Sequence, residues 1–188
     1  MRLIAGEAKG RRLNVPRGLQ VRPSGARLRE SAFGILGHRD AISGARVLDL
    51  FAGTGALGLE ALSRGAAELV AVEKERPVAR VLAQNVDHCG FGPRTEVRIE
   101  SAASAVERLA AEGRAFDLVL VDPPYRRGLV AGVLGALVRL DLLADGGRVL
   151  IEHARDESID VPLGLATEVE RRCGDSLLTL LQRTGSRS

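Results

Sequence analysis

Asp122-Pro123-Pro124-Tyr125 closes the apolar run Asp117-Leu-Val-Leu-Val-Asp122, the strongest buried-strand signal in the chain. Each proline fixes its own φ, and Pro124 also restricts Pro123. The loop that results is stiff and projects a carboxylate, a carbonyl and an aromatic ring. That set matches the needs of an exocyclic amine on a nucleobase, whose lone pair is delocalised and poorly nucleophilic. Asp122 and the Pro123 carbonyl can accept its two N–H hydrogens, aim the nitrogen and stabilise the positive charge that develops as it attacks. Tyr125 can stack on the base. No nucleophilic side chain or metal is required where the group to be transferred is already activated and alignment supplies much of the rate. The competing reading is a proline-ended strand with a surface tyrosine.

A second stretch supplies a place for such an activated group. Val47 to Phe51 is apolar apart from Asp49, and Gly53-Thr54-Gly55 must turn sharply before helical spacing begins at Ala56. A strand, a glycine turn and a helix start form a ligand site. Gly53, Gly55 and Gly58 also fit the dinucleotide pattern G-x-G-x-x-G. Asp49, four residues before the first glycine, would repel a pyrophosphate but suits a ligand bearing an ammonium and a sulfonium, such as S-adenosylmethionine. Glu73 ends a second strand, Leu69 to Val72, where a carboxylate can accept hydrogen bonds from both ribose hydroxyls. Otherwise Asp49 and Glu73 are solvated strand ends.

The elements that must position these residues follow in order. Arg2–Ala5 and Arg12–Val15 bracket Gly6 to Gly10 and read as a small hairpin or as two extended pieces. Leu28, Ala32, Ile35 and Leu36 predict an amphipathic helix over Gly25–Gly37, with Arg27 and Glu30 on its other face. Strands at 69–73, 96–99, 117–122 and 148–151 alternate with helices, the second opened near Pro77 and the third by the capping-box pattern Ser104-x-x-Glu107. The helix that begins at Leu129 is expected to end near Gly146-Gly147, and the tail at 166–172 and 177–182 reads as an antiparallel pair. Strands alternating with helices imply a mostly parallel sheet with right-handed crossovers.

At 188 residues the chain fits one domain with a sizeable core. No apolar run is long enough to span a membrane, Cys89 and Cys173 suit a reducing cytoplasm, and His38, His88 and His153 form no metal motif. Charge is uneven. Residues 1–40 hold nine Lys/Arg against three acidic residues, whereas the remainder holds 18 basic and 21 acidic. A basic arm of surplus six on a slightly acidic body points to a polyanion partner, the alternative being a solubilising arginine-rich face.

Asp49-Leu-Phe-Ala-Gly-Thr-Gly-Ala-Leu-Gly-Leu-Glu-Ala-Leu-Ser-Arg-Gly65, Glu73 and Asp122-Pro-Pro-Tyr125 together resemble class I S-adenosylmethionine-dependent methyltransferases acting on amino groups. Arg2-Leu-Ile-Ala-Gly, Gly10-Arg-Arg-Leu and Arg22-Pro-Ser-Gly-Ala-Arg-Leu-Arg-Glu30 narrow the resemblance to the bacterial small-subunit rRNA guanine-N2 methyltransferase family. That family's signature usually has a threonine and an acidic residue where this chain has Ser24 and Ala26. The resemblance implies a Rossmann-like, doubly wound α/β fold with a mostly parallel seven-stranded sheet, an antiparallel C-terminal strand and a basic RNA-binding extension over residues 1–40 ahead of a catalytic domain at 41–188. It implies methyl transfer from S-adenosylmethionine to one guanine of 16S rRNA in a partly assembled small subunit, with S-adenosylhomocysteine released, by a cytoplasmic monomer without a metal. Under it, Phe51, Ala52, Gly53, Thr54 and Gly55 hold the methionine moiety, Glu73 the ribose and Ser101 (or Glu100) the adenine, with Asp49, Lys74, Ala102 and Asp122 also at the cofactor. Asp122, Pro123, Pro124 and Tyr125 hold the base beside the cofactor, and Arg22, Arg27, Arg29, Arg126 and Arg127 face RNA.

Three other functions share parts of this pattern. An adenine-N6 or cytosine-N4 methyltransferase on DNA can use Asp-Pro-Pro-Tyr, but 188 residues leave little room for a separate target-recognition segment. A silent RNA-binding protein on the same fold needs neither Asp122 nor the glycine turn. An NAD-dependent oxidoreductase is disfavoured by Asp49.

Overall fold

The computed structural model describes residues 1–15, 25–124 and 128–185. Among these, seven strands form a single sheet: β1 (Arg46–Asp49), β2 (Glu68–Val72), β3 (Thr95–Arg98), β4 (Phe116–Val121), β5 (Leu143–Ala154), β6 (Leu165–Cys173) and β7 (Ser176–Arg183). The order across the sheet is β3-β2-β1-β4-β5-β7-β6. Neighbours among the first five strands run parallel, and β7 lies antiparallel between β5 and β6. The expected antiparallel tail is thus a hairpin inserted at the sheet edge.

Side-chain alternation along the strands makes two apolar layers. Val47, Leu118, Leu120 and Leu150 pack with α1 (Gly25–Gly37), α2 (Gly58–Ser63) and α3 (Arg76–Cys89) on one face. Leu48, Val119, Val121 and Ile151 pack with α4 (Ala102–Ala111) and α5 (Leu129–Arg139) on the other. Strands buried on both faces must be apolar at nearly every position, which is how Leu118–Val121 reads. At the opposite end, Arg46 ties β1 to β4: its guanidinium donates to both oxygens of Asp117 at 2.9 Å, which holds that carboxyl below its usual range.

The N-terminal segment is part of the first layer. Leu3, Ala8 and Leu13 are buried in the same core as α1 and α2. Arg2 and Arg12 form an isolated antiparallel bridge, so the expected hairpin exists in minimal form. Its backbone is held by side chains of the body: the buried carboxylate of Glu60 accepts from the amides of Ile4 (2.7 Å) and Ala5 (3.0 Å), and Ser63 Oγ accepts from Ala8 N–H at 3.0 Å. A Cβ on Gly6 (φ +80°) would stand 1.6 Å from the carbonyl oxygen of Ser63. The segment therefore crosses α2 where only glycine fits.

Two elements differ from expectation. α5 ends at Arg139, and residues expected to continue it belong instead to β5, where Leu143 already pairs with Phe116. The register shifts between Phe116 and Leu118 because Gly146-Gly147 kinks the strand; a Cβ on Gly147 would stand 2.8 Å from the Ala144 carbonyl. The helix cap expected at Ser104 lies three residues earlier. Ser101 Oγ accepts from the Ser104 amide at 3.1 Å, leaving Ser104 inside the first turn.

Candidate active site

The C-terminal ends of β1, β2, β4 and β5 open into a cleft of about 960 Å3, walled by α4 and α5 on one side and by Met1, Gly25, Leu28 and Arg29 on the other. This volume lies near the top of the usual range for cofactor and substrate clefts. Phe51, Ala52, Gly53, Thr54, Glu73, Lys74, Ser101, Ala102, Asp122, Pro123 and Pro124 all line it. Residues from four separate stretches of sequence therefore meet where open α/β sheets bind ligands.

The turn after β1 is built by its neighbours. Ala52 donates to the Val72 carbonyl of β2 at 2.9 Å, and Gly53 (φ +54°) donates to Glu73 Oε2 at 3.1 Å. Glu73 Oε1 accepts from the Glu75 amide at 2.8 Å. Each carboxylate oxygen has two acceptor positions, so Glu73 can hold the turn and still accept from two hydroxyls. Among the described residues, nothing beyond the adjoining residues of the turn lies within 4 Å of where a Gly53 Cβ would sit. A ligand can thus approach the Gly53 backbone closely, and the residues present fit the nucleoside and methionine parts of S-adenosylmethionine.

Asp49 and Gly55 play structural parts rather than facing the cleft. Asp49 is 1% exposed, and its carboxylate accepts from the amides of Gly58 (3.1 Å) and Phe51 (3.4 Å) inside the turn. Burial raises its pKa to about 7, against the opposing pull of those two hydrogen bonds. The charge expected beside a sulfonium is therefore spent on the loop's own amides. Gly55 (φ +92°) is buried, and a Cβ there would meet Leu82 and Leu59 at 2.7 and 2.8 Å. Its freedom permits close packing of the turn on α2 and α3, not ligand approach.

Arg27 is exposed on α1, as an RNA contact requires. Arg29, expected on the same surface, is only 3% exposed. It shares the helix stripe of Ala32, Phe33 and Leu36, so folding turns it inward. Its Nε and one Nη donate to the carbonyls of Gly25 (2.8 Å) and Arg2 (3.1 Å), and burial lowers its pKa. Arg22, Tyr125, Arg126 and Arg127 lie outside the described residues.

Sequence reasoning missed three residues. Asn85 is fully buried and donates to the Thr54 carbonyl at 2.8 Å and the Asn14 carbonyl at 3.0 Å, tying the glycine turn to the N-terminal segment. Its place between Leu82 and Cys89 on the buried stripe of α3 was the available signal. Glu60 sits four residues before Arg64, which donates to it at 2.7 Å, but its partners at residues 4 and 5 leave no local trace. Glu152 on β5 lines the cleft as a buried carboxylate.

Similarity to known proteins extends over the whole of this geometry. Residues 1–182 match the family model described as conserved hypothetical protein 95. Ribosomal RNA small subunit methyltransferase D of Escherichia coli (strain K12) is 36% identical over 184 residues, covering 97% of this chain and 90% of that protein. The chain belongs to that family. Among solved structures, an Escherichia coli protein provisionally assigned as the methyltransferase yhhF superposes with a TM-score of 0.86 at 34% identity, covering 99% of both chains. A hypothetical protein of Thermus thermophilus does so with a TM-score of 0.81 at 34% identity, over 96% of this chain and 98% of the other. Family and fold agree: the seven-stranded, mostly parallel sheet with antiparallel C-terminal strands is a class I methyltransferase fold.

Proposed function

We propose that this chain transfers the methyl group of S-adenosylmethionine to the N2 amine of a guanine in small-subunit ribosomal RNA. The observation that carries the reading is that Asp122-Pro123-Pro124 and the Phe51–Gly53 turn, far apart in sequence, line one cleft. Phe51 to Gly53 would hold the methionine part, Glu73 and Lys74 the ribose, and Ala102 with Ser101 the adenine. The sulfonium supplies an already activated methyl: its C–S bond breaks as the N–C bond forms, and a neutral thioether leaves. Asp122 and the Pro123 carbonyl accept the two amine hydrogens, and Asp122 stabilises the charge on nitrogen until a proton leaves. Tyr125 would stack on the base.

Exposure of Arg27, with Met1 and Gly25 on the cleft wall, supports an RNA backbone held beside the mouth. Relatives named as ribosomal RNA methyltransferases support that substrate. A paired guanine amine is out of reach, so the target is unpaired or flipped out. The reading extends to a cytoplasmic monomer acting on a partly assembled subunit. Nucleoside mass spectrometry of small-subunit rRNA, from cells with and without the protein, tests it. N2-methylguanosine should vanish without the protein and return with the parental chain, while Asp122→Ala should slow single-turnover transfer by about 10²-fold or more. N6-methyladenine as the product, or an Asp122→Ala variant of parental rate, would overturn it.

A further inference from the structure

Adenine, cytosine and guanine all carry an exocyclic amine that Asp122 and the Pro123 carbonyl could hold, so this pair alone does not choose among them. The ring nitrogen beside the amine does. In guanine N1 is a hydrogen-bond donor, whereas adenine N1 and cytosine N3 are acceptors. A guanine-selective site needs a fixed acceptor next to Asp122, and a carboxylate there would also repel the other two bases.

β4 and β5 supply that arrangement. They pair in register, with Val121 beside Ile151, so the next residues, Asp122 and Glu152, are neighbours on strands about 4.8 Å apart. Both line the cleft. Glu152 is 8% exposed, and its Oε1 accepts from Ser176 Oγ at 3.2 Å, which fixes the side chain. A carboxylate offers about four acceptor positions, so it can accept from more than one donor at once.

We propose that Glu152 selects guanine by accepting its N1–H. The proposal rests on the methyl-transfer reading above. It separates recognition from chemistry: Asp122 handles the reacting amine, and Glu152 reads the neighbouring ring atom.

2,6-Diaminopurine tests it, because that base keeps the N2 amine but has an acceptor at N1 and an amine in place of O6. Small-subunit rRNA would be ligated with guanine or diaminopurine at the one nucleotide the parental protein methylates. Initial rates would be compared for the parental chain and Glu152→Gln, whose amide oxygen can still accept from Ser176 while its nitrogen faces the base. The parental chain should methylate guanine at least about 10- to 100-fold faster than diaminopurine, the span of one hydrogen bond to a charged group. Glu152→Gln should lose about that factor on guanine and shift its preference toward diaminopurine, with S-adenosylmethionine affinity unchanged by calorimetry. Equal parental rates on both bases, or an undiminished guanine preference in Glu152→Gln, would overturn the proposal. If the variant does not fold, the parental comparison decides alone. A parental chain that makes no N2-methylguanosine would instead refute the methyl-transfer reading, and this proposal with it.

Discussion

Replacing Asp49 with asparagine should change how stability depends on pH. Asp49 is buried, and its folded pKa of about 7 stands against an ordinary value of 3.8. The folded state therefore keeps a proton that the unfolded chain releases, and stability falls as pH climbs from about 4 to about 7, then levels off. A shift of about three units at 1.36 kcal/mol each makes the full cost about 4 kcal/mol above pH 7. Roughly 2 kcal/mol of it is already present at pH 5, so the carboxylate accounts for a decline of about 2–3 kcal/mol between pH 5 and pH 8. Asparagine removes that decline. It also adds a constant cost, because its oxygen can accept from one amide while its NH2 opposes the other, where Asp49 serves both Gly58 and Phe51. Urea unfolding at pH 5, 6, 7 and 8 without cofactor measures both terms. The variant should be clearly less stable than the parent at pH 5, and the gap should narrow by about 2–3 kcal/mol by pH 8. Two curves that stay parallel across this range would refute the buried, proton-holding carboxyl.

Gly6→Ala should destabilise the protein by about 3 kcal/mol or more, since it combines a left-handed φ with a clash against the fixed backbone of α2 and loosens the Ile4 and Ala5 bonds to Glu60; an unchanged denaturation midpoint would show that the segment does not dock there. Glu73→Ala should weaken S-adenosylmethionine binding by about 1.5–3 kcal/mol, the worth of hydrogen bonds to a charged group. Calorimetry giving parental affinity would remove Glu73 from the site.

Much of the site was legible because its signals are local. Gly53-Thr54-Gly55 breaks a strand for reasons of backbone geometry, and Pro123-Pro124 stiffens the end of β4 whatever surrounds it. Their chain positions, each after an apolar strand, were enough to place both at one sheet edge. The helix Gly25–Gly37 came from the spacing of Leu28, Ala32, Ile35 and Leu36 and has the expected bounds. Charge was read less well. Arg29 looked like one more cation in a basic arm, although it lies on the stripe of Ala32, Phe33 and Leu36 and is buried with them.

What the chain order and residue types determine by themselves is the alternation of elements, the turns that interrupt them and the chemistry at strand ends. Tertiary structure decided which charged groups face the cleft. Asp49 turned into its own loop because buried amides needed an acceptor, whereas Glu152 came to Asp122 only through the register of two parallel strands 30 residues apart in sequence. Glu60 met Ile4 and Ala5, and Asn85 met Thr54 and Asn14, across gaps at least as long. Such pairings satisfy buried polar groups, a requirement that exists only once the chain has excluded water, so no local pattern records it.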